Sequence, residues 1–156
     1  MRLRLIAAGG RMPGWVREGT EEYRKRLPRD FELSITEIPL AARGRNGDLR
    51  RAVAKEGEAM LATLGRGEHV VALDVGGRSF STEALAERVR QLRDGGADLA
   101  LLIGGPDGLA PACLARADER WSLSALTLPH PIVRIVVAEQ LYRVWSFLNN
   151  HPYHRA

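Results

Sequence analysis

The chain has 156 residues, 27% of them charged and 45% hydrophobic, with a net charge of +4. A domain of this length buries about 70% of the surface its unfolded chain exposes, and so average a composition excludes a disordered or fibrous protein. No apolar run approaches the roughly 18 residues of a membrane span, and the single cysteine, Cys113, excludes an intrachain disulfide and fits a reducing cytoplasm. The basic excess favours a polyanionic partner.

In chain order, the first apolar run, Arg2 to Ala8, is broken by Gly9, Gly10 and Arg11 before it reaches the length of a signal-peptide core, so it predicts a strand. An amphipathic helix follows over about Pro13 to Arg26 and ends in the basic cluster Arg24-Lys25-Arg26, whose simplest reading is a solvated helix face. Phe31 to Ile38 predicts the second strand. Arg43-Gly44-Arg45-Asn46-Gly47 then sets arginines on a glycine-rich loop that can conform to a phosphate backbone, before a second helix, Asp48 to Leu64, with Asp48 as its cap. Val70 to Leu73 and Leu99 to Ile103 are short continuous apolar runs of the kind buried on both sheet faces. Between them lies a helix from Thr82 to Arg93, capped by Ser81 or Thr82. A short helix, Pro111 to Asp118, packs Cys113, and Ser122 to Leu128 predicts a fifth strand. Strand and helix in alternation give an α/β fold, a mostly parallel five- to six-stranded sheet with helices on both faces.

The last helix, about Ile132 to Asn149, confines its polar residues to a stripe of Glu139, Arg143, Ser146 and Asn150 beside Gln140. A helix apolar over so much of its circumference is buried on more than one side, which predicts a homodimer with the sheet on one side and a second copy on the other; the alternative is burial within one unusually wrapped monomer. Arg134 stands alone on the apolar side. It either snorkels outward from the first turn or is paired at an interface or ligand.

Gly104 and Gly105 put bare peptide groups at the end of a parallel strand, where open α/β sheets bind ligands. Their spacing is not that of a dinucleotide fingerprint, and no phosphate-binding P-loop is present. With Leu73-Asp74 and the Ser124 to Leu128 segment they form three strand-end loops of small and aliphatic residues. Such loops can surround a flat heteroaromatic ring, offering peptide hydrogen bonds at its edge and methyls at its faces. The tail Asn149 to Arg155 is dense in aromatic, imidazole and guanidinium groups, the set that stacks on and pairs with a nucleobase. His151 and His154 have metal-ligand spacing but no thiol or acidic companion, so no metal is expected.

Together, Ile103-Gly-Gly-Pro-Asp-Gly-Leu109, Trp121 through Pro131, Ala138-Glu-Gln-Leu-Tyr-Arg143 and the ending Asn150 to Arg155 resemble the RlmH family of SPOUT methyltransferases, as do Met12-Pro13-x-Trp15-Val16 and Arg43 to Asn46. The resemblance spans the chain. It implies one SPOUT domain over residues 1–156, with a C-terminal trefoil knot that no periodicity reveals. It also implies transfer of a methyl group from S-adenosylmethionine to N3 of a pseudouridine in helix 69 of 23S rRNA, on the assembled ribosome, by a cytoplasmic homodimer that uses no metal. Carried over by position, Leu73, Gly104, Gly105, Leu123, Ser124, Ala125, Leu126, Thr127 and Leu128 hold the cofactor. Tyr153, His154 and Arg155 complete the acceptor site, reaching toward the partner subunit's pocket. His130 and His154 are candidate bases, and Arg155 or Arg134 would stabilise charge on the flanking carbonyl oxygens. Two alternatives stand beside this reading: a SPOUT enzyme with a different RNA acceptor, and a ribosome-associated binding protein without catalysis.

Overall fold

The structure, a computed structural model, describes residues 1–44 and 48–155. Arg45, Asn46 and Gly47, on which most of the phosphate-loop expectation falls, lie outside the described residues. The elements run β1 (Arg2–Ala8), α1 (Gly14–Arg24), β2 (Glu32–Ile38), α2 (Leu49–Ala62), β3 (Glu68–Ser79), α3 (Thr82–Asp94), β4 (Asp98–Ile103), α4 (Pro111–Arg116), β5 (Glu119–Ser122) and α5 (His130–Leu148), with 3-10 turns at Arg29–Phe31 and Pro152–Arg155.

The strands form one sheet in the order β2-β1-β4-β3-β5, every neighbouring pair parallel. Alternate side chains of the central strands enter two separate cores. Leu3, Leu5 and Ala7 of β1 and Leu99, Leu101 and Ile103 of β4 face α1, α3 and α5. Ile6, Ala8, Ala100 and Leu102 face α2 and α4. A strand buried on both faces has no polar side to alternate with, which is why Leu99 to Ile103 reads as an unbroken apolar run.

Three expectations need correction. The fifth strand occupies Glu119–Ser122 rather than Ser122 to Leu128. After Ser122 the backbone finds local partners instead of a ladder: the Ser122 hydroxyl donates to the Ser124 carbonyl at 3.0 Å, and Leu126 N–H donates to Ser124 Oγ at 2.9 Å. The third strand, expected to stop at Leu73, continues to Ser79 through a bulge in which Trp121 is opposite both Leu73 and Arg78. Gly77 permits that bulge, since a Cβ there would lie 2.6 Å from the Arg120 carbonyl carbon. Asp48 makes no side-chain cap on α2, whereas Ser81 Oγ accepts from Ala84 N–H at 3.1 Å at the start of α3.

Helix α5 lies on the sheet with α1 and α3 on either side. Contact with α1 is close: a Cβ on Gly19 would come within 2.9 Å of Ile135 Cδ1. Within one chain this buries Val137, Leu141 and Val144, while Val133, Ile135, Val136, Trp145, Phe147 and Leu148 remain half-buried and Ile132 is exposed. Among the described residues no helix is long and apolar enough to cross a membrane.

Candidate active site

Because the strands are parallel, the carboxyl ends of β4, β3 and β5 share one edge of the sheet, and the segments leaving them enclose a cleft of about 660 Å³. That volume is within the range of small-molecule sites, roughly 300–1,000 Å³. Leu73, Gly104, Gly105, Leu123, Ser124, Leu126, Thr127 and Leu128 all line it. Ala125 does not: it is exposed on the outside of its loop. Sequence reasoning missed Pro106, Leu114 and Val133, which complete the walls. Val133 follows His130 by one helical turn on the same face, a signal that was available; nothing in the sequence marks Leu114.

The turn after β4 is tightly folded. Gly108 N–H donates to the Gly105 carbonyl at 3.1 Å, and Gly108 sits at φ +80°, where glycine is favoured. A Cβ at Gly104 would be 2.5 Å from the Gly108 carbonyl carbon. Peptide groups can approach a ligand here because no side chain intervenes.

His130, the first residue of α5, lines the same cleft. Burial, and secondly the positive charge of Arg134, hold its pKa below the usual histidine value, so its imidazole is neutral at pH 7. Its Nδ1 is buried and has no hydrogen-bond partner. Arg134 does not snorkel. It is 4% exposed, donates through Nη1 to Glu37 Oε2 at 2.7 Å and through Nη2 to the Gly9 carbonyl at 3.3 Å, and its buried Nε has no partner. A second cavity of about 190 Å³ is lined by Arg134 with Met12, Arg17, Thr20 and Glu37. Gly9, at φ +128°, lies between the two groups: a Cβ there would be 3.4 Å from Arg134 Nη2 and 3.7 Å from His130 Cε1.

The tail lies elsewhere. It folds back on the last turns of α5, with His151 N–H donating to the Ser146 carbonyl at 2.8 Å and Asn150 at φ 55° making the reversal. Tyr153 packs on Tyr142 with centroids 4.6 Å apart and donates to Glu139 Oε1 at 2.9 Å. Burial, then that carboxylate, push its phenol pKa up. Glu139 also accepts from Arg143 Nη2 at 2.6 Å. His154 lies edge-on to Phe147 and its Nδ1 is buried without a partner, while Arg155 is exposed. The residues of α5 that hold this cluster, Glu139, Tyr142 and Phe147, lie beyond His130 by about 14 to 26 Å along the helix at 1.5 Å per residue. Within one chain, therefore, His130 and Arg134 share a neighbourhood that excludes Tyr153, His154 and Arg155.

The basic cluster at the end of α1 is the solvated face expected of it, whereas Arg43 is not free to follow a phosphate backbone. Arg24 pairs with Glu21, and Lys25 and Arg26 with Glu22, on the α1 surface. Arg43 is engaged by Glu56 and Asp107.

A family model described as "Predicted SPOUT methyltransferase" matches residues 1–154. Proteins named ribosomal RNA large subunit methyltransferase H are similar along nearly the whole chain: that of Marinomonas sp. (strain MWYL1) is 56% identical over 99% of this chain and 100% of its own length, and that of Chromohalobacter salexigens is 58% identical over the same shares. The chain belongs to the RlmH family of SPOUT methyltransferases. Solved structures of methylase family proteins from Neisseria gonorrhoeae (TM-score 0.53, 14% identity, 90% of this chain and 81% of that one) and Haemophilus influenzae Rd KW20 (TM-score 0.54, 13% identity, 97% and 68%) share its fold. In this SPOUT chain, then, the cleft at the strand ends is the candidate cofactor site, and no group of three His, Cys, Asp or Glu among the described residues is arranged to hold a metal ion.

Proposed function

We propose that this chain is an S-adenosylmethionine-dependent methyltransferase that modifies N3 of a pseudouridine in helix 69 of 23S rRNA within the assembled ribosome, working in the cytoplasm as a homodimer. The cleft carries this reading. It has room for an adenosyl group, aliphatic walls at Leu73, Leu123, Leu128 and Val133 for the faces of a purine, and peptide groups at Gly104 and Gly105 for its edge. The relatives' names, which specify large-subunit ribosomal RNA, supply the substrate class.

The cofactor contributes an electrophilic methyl group on a sulfonium sulfur. The protein must orient the acceptor, remove the N3 proton and exclude water. His130 is neutral and borders the cleft, so its imidazole can accept that proton as the N3 lone pair forms its bond to carbon; a positioned base of this kind contributes about 10²- to 10⁴-fold. Arg134 is a fixed positive charge beside it for the uracil oxygens, where negative charge develops.

In this reading the tail acts in a second copy. Tyr153 and His154 are held against the middle and far turns of α5, off their own chain's cleft, in an ordered turn rather than frayed. A two-fold dimer brings each tail to the partner's cleft, where His154 is the rival base and Arg155 the rival charge. Trp15, 57% exposed, and Ile132, 39% exposed, supply apolar surface for the contact. The C-terminal knot belongs to the same family reading.

Methyl transfer measured in parallel on naked 23S rRNA, large subunits and whole ribosomes, with the product nucleotide identified by mass spectrometry, tests the proposal. A methyl group at N3 of a helix 69 pseudouridine, on whole ribosomes in preference to naked RNA, is expected. A product elsewhere identifies a different acceptor. Failure to bind S-adenosylmethionine at high micromolar concentration leaves a binding protein without catalysis.

A further inference from the structure

Arg43 is one of two arginines on the loop read as able to follow a phosphate backbone, and its guanidinium is turned inward. It is only 26% exposed and holds two carboxylates from distant parts of the chain. Nη1 and Nη2 bind Glu56, a residue of α2 that is 4% exposed, and Nη1 also donates to the Ala41 carbonyl at 2.7 Å. Nε and Nη2 donate to the same oxygen of Asp107 at 3.1 and 3.0 Å. Glu56 in turn accepts from Ala41 N–H at 2.8 Å, so both ends of the short strap Ala41 to Arg43 are fastened to α2.

Asp107 is the informative partner. In the turn from Gly104 to Leu109, every residue lines the cofactor cleft except Asp107. Its side chain leaves the turn on the outer side and ends on Arg43. Among the described residues the turn's other anchors are the Gly108 N–H to Gly105 carbonyl hydrogen bond, contact of Gly105 with Leu40 and Ala8, and packing of Leu109 on the core at its end. A glycine-rich turn has high conformational freedom to lose, and an external grip reduces that freedom before a ligand arrives.

We propose that Arg43 is a positioning residue: by gripping Asp107 from the buried anchor Glu56, it holds the Gly104 to Leu109 turn in the shape that receives the cofactor. The guanidinium suits this work because its planar fork spans two carboxylates at once, which the point charge of a lysine cannot do. Glu56 faces Arg43 from α2 and Asp107 faces it from the turn; both are needed, one as foundation and one as load. The proposal rests on the cofactor reading of the cleft.

The Asp107→Asn variant isolates the grip, since it leaves the Arg43–Glu56 pair intact and removes no cleft-lining group. Calorimetry with S-adenosylmethionine is expected to show a five- to tenfold weaker Kd for this variant, with methyl transfer at saturating cofactor and ribosomes unchanged. Arg43→Lys keeps the charge opposite Glu56 and should weaken binding similarly. The double variant should be no weaker than either single one, because the two residues act through one contact. A purely structural role would move thermal stability and leave cofactor affinity alone. Asp107→Asn binding within twofold of the unaltered chain, or fully additive losses in the double variant, overturns the inference while leaving the cofactor reading intact. If the unaltered chain itself does not bind S-adenosylmethionine, both readings fall.

Discussion

Gly104→Ala tests the cleft most directly. The added methyl would lie 2.5 Å from the Gly108 carbonyl carbon, 2.7 Å from Leu109 N and 2.9 Å from Gly108 Cα. All three are backbone atoms, so no rotamer change relieves the clash. Ordinary contact needs roughly 3.5 Å, so the strand end and the returning arm of the turn must separate by about 1 Å. Overpacking of this kind costs about 1–3 kcal/mol, and the low end applies because the turn is at the surface and can swing open. The effect on stability should therefore be about 1 kcal/mol, or 2–4 °C in Tm for a chain of this size. The effect on the ligand should be larger, since the same 1 Å displaces the peptide groups meant to meet the adenine edge. We expect at least a tenfold loss in affinity for S-adenosylmethionine, and misplacement on that scale can lower the rate about 10²-fold. Titration calorimetry and thermal melts measure the two effects separately. Gly10→Ala is the control, because no atom lies within 4 Å of its Cβ position. If Gly104→Ala binds within twofold of the unaltered chain, the turn does not hold the cofactor as proposed.

Other consequences follow from single contacts. Gly57→Ala forces a methyl to 2.5 Å from Ala110 Cβ where α2 crosses α4; overpacking outweighs the roughly 1 kcal/mol gain in helix propensity, and urea titration should show net destabilisation that Ala110→Gly relieves. Burial opposes the charge on Glu119 but is outweighed by hydrogen bonds from Arg88, Trp121 and His69, so its carboxyl titrates at about 2. Its folded pKa is thus depressed: the associated stability, about 3 kcal/mol, is present above pH 4.5 and lost as pH falls toward 2, and Glu119→Gln should abolish that part of the acid sensitivity. Glu37→Ala leaves the buried Arg134 without its carboxylate and should destabilise by about 3 kcal/mol in denaturant melts, a loss near zero showing that solvent already balances the charge. His130, held neutral, should let methyl transfer persist as pH falls through 6.5, and His130→Ala should reduce turnover 10²-fold or more; a rate that follows an ordinary histidine titration would remove it as the base.

Much of this architecture was legible because fully buried parallel strands leave a plain signature. Leu99 to Ile103 has no polar residue to conceal its burial, and helix starts such as Ser81 and Pro111 are local events. The fifth strand was misplaced for the same reason: Ser122 to Leu128 alternates like a strand, but its serines satisfy the backbone locally. The cleft residues were recoverable because small residues at strand ends have few other uses. Arg134 and Arg43 were not, since their partners Glu37, Glu56 and Asp107 lie far away along the chain, and nothing in a linear pattern distinguishes a solvated arginine from a clamped one. The breadth of the apolar surface on α5 was read as burial on more than one side; α1 and α3 cover part of it within the chain, leaving Ile132 exposed and Val136 and Trp145 half-buried.

The stretch of α5 that keeps His130 apart from the tail of its own chain has a genetic corollary. In the proposed two-fold assembly, a lesion at His130 and a lesion at Arg155 fall on different subunits of any one centre, so each homodimer carrying one of them is dead at both centres. Co-expressing the two defective alleles lets half the assemblies form as hybrids, each gathering both faults into one centre and sparing the other, and about a quarter of parental turnover should return. Two broken genes would complement each other, an outcome impossible for an enzyme whose centre is drawn from a single polypeptide.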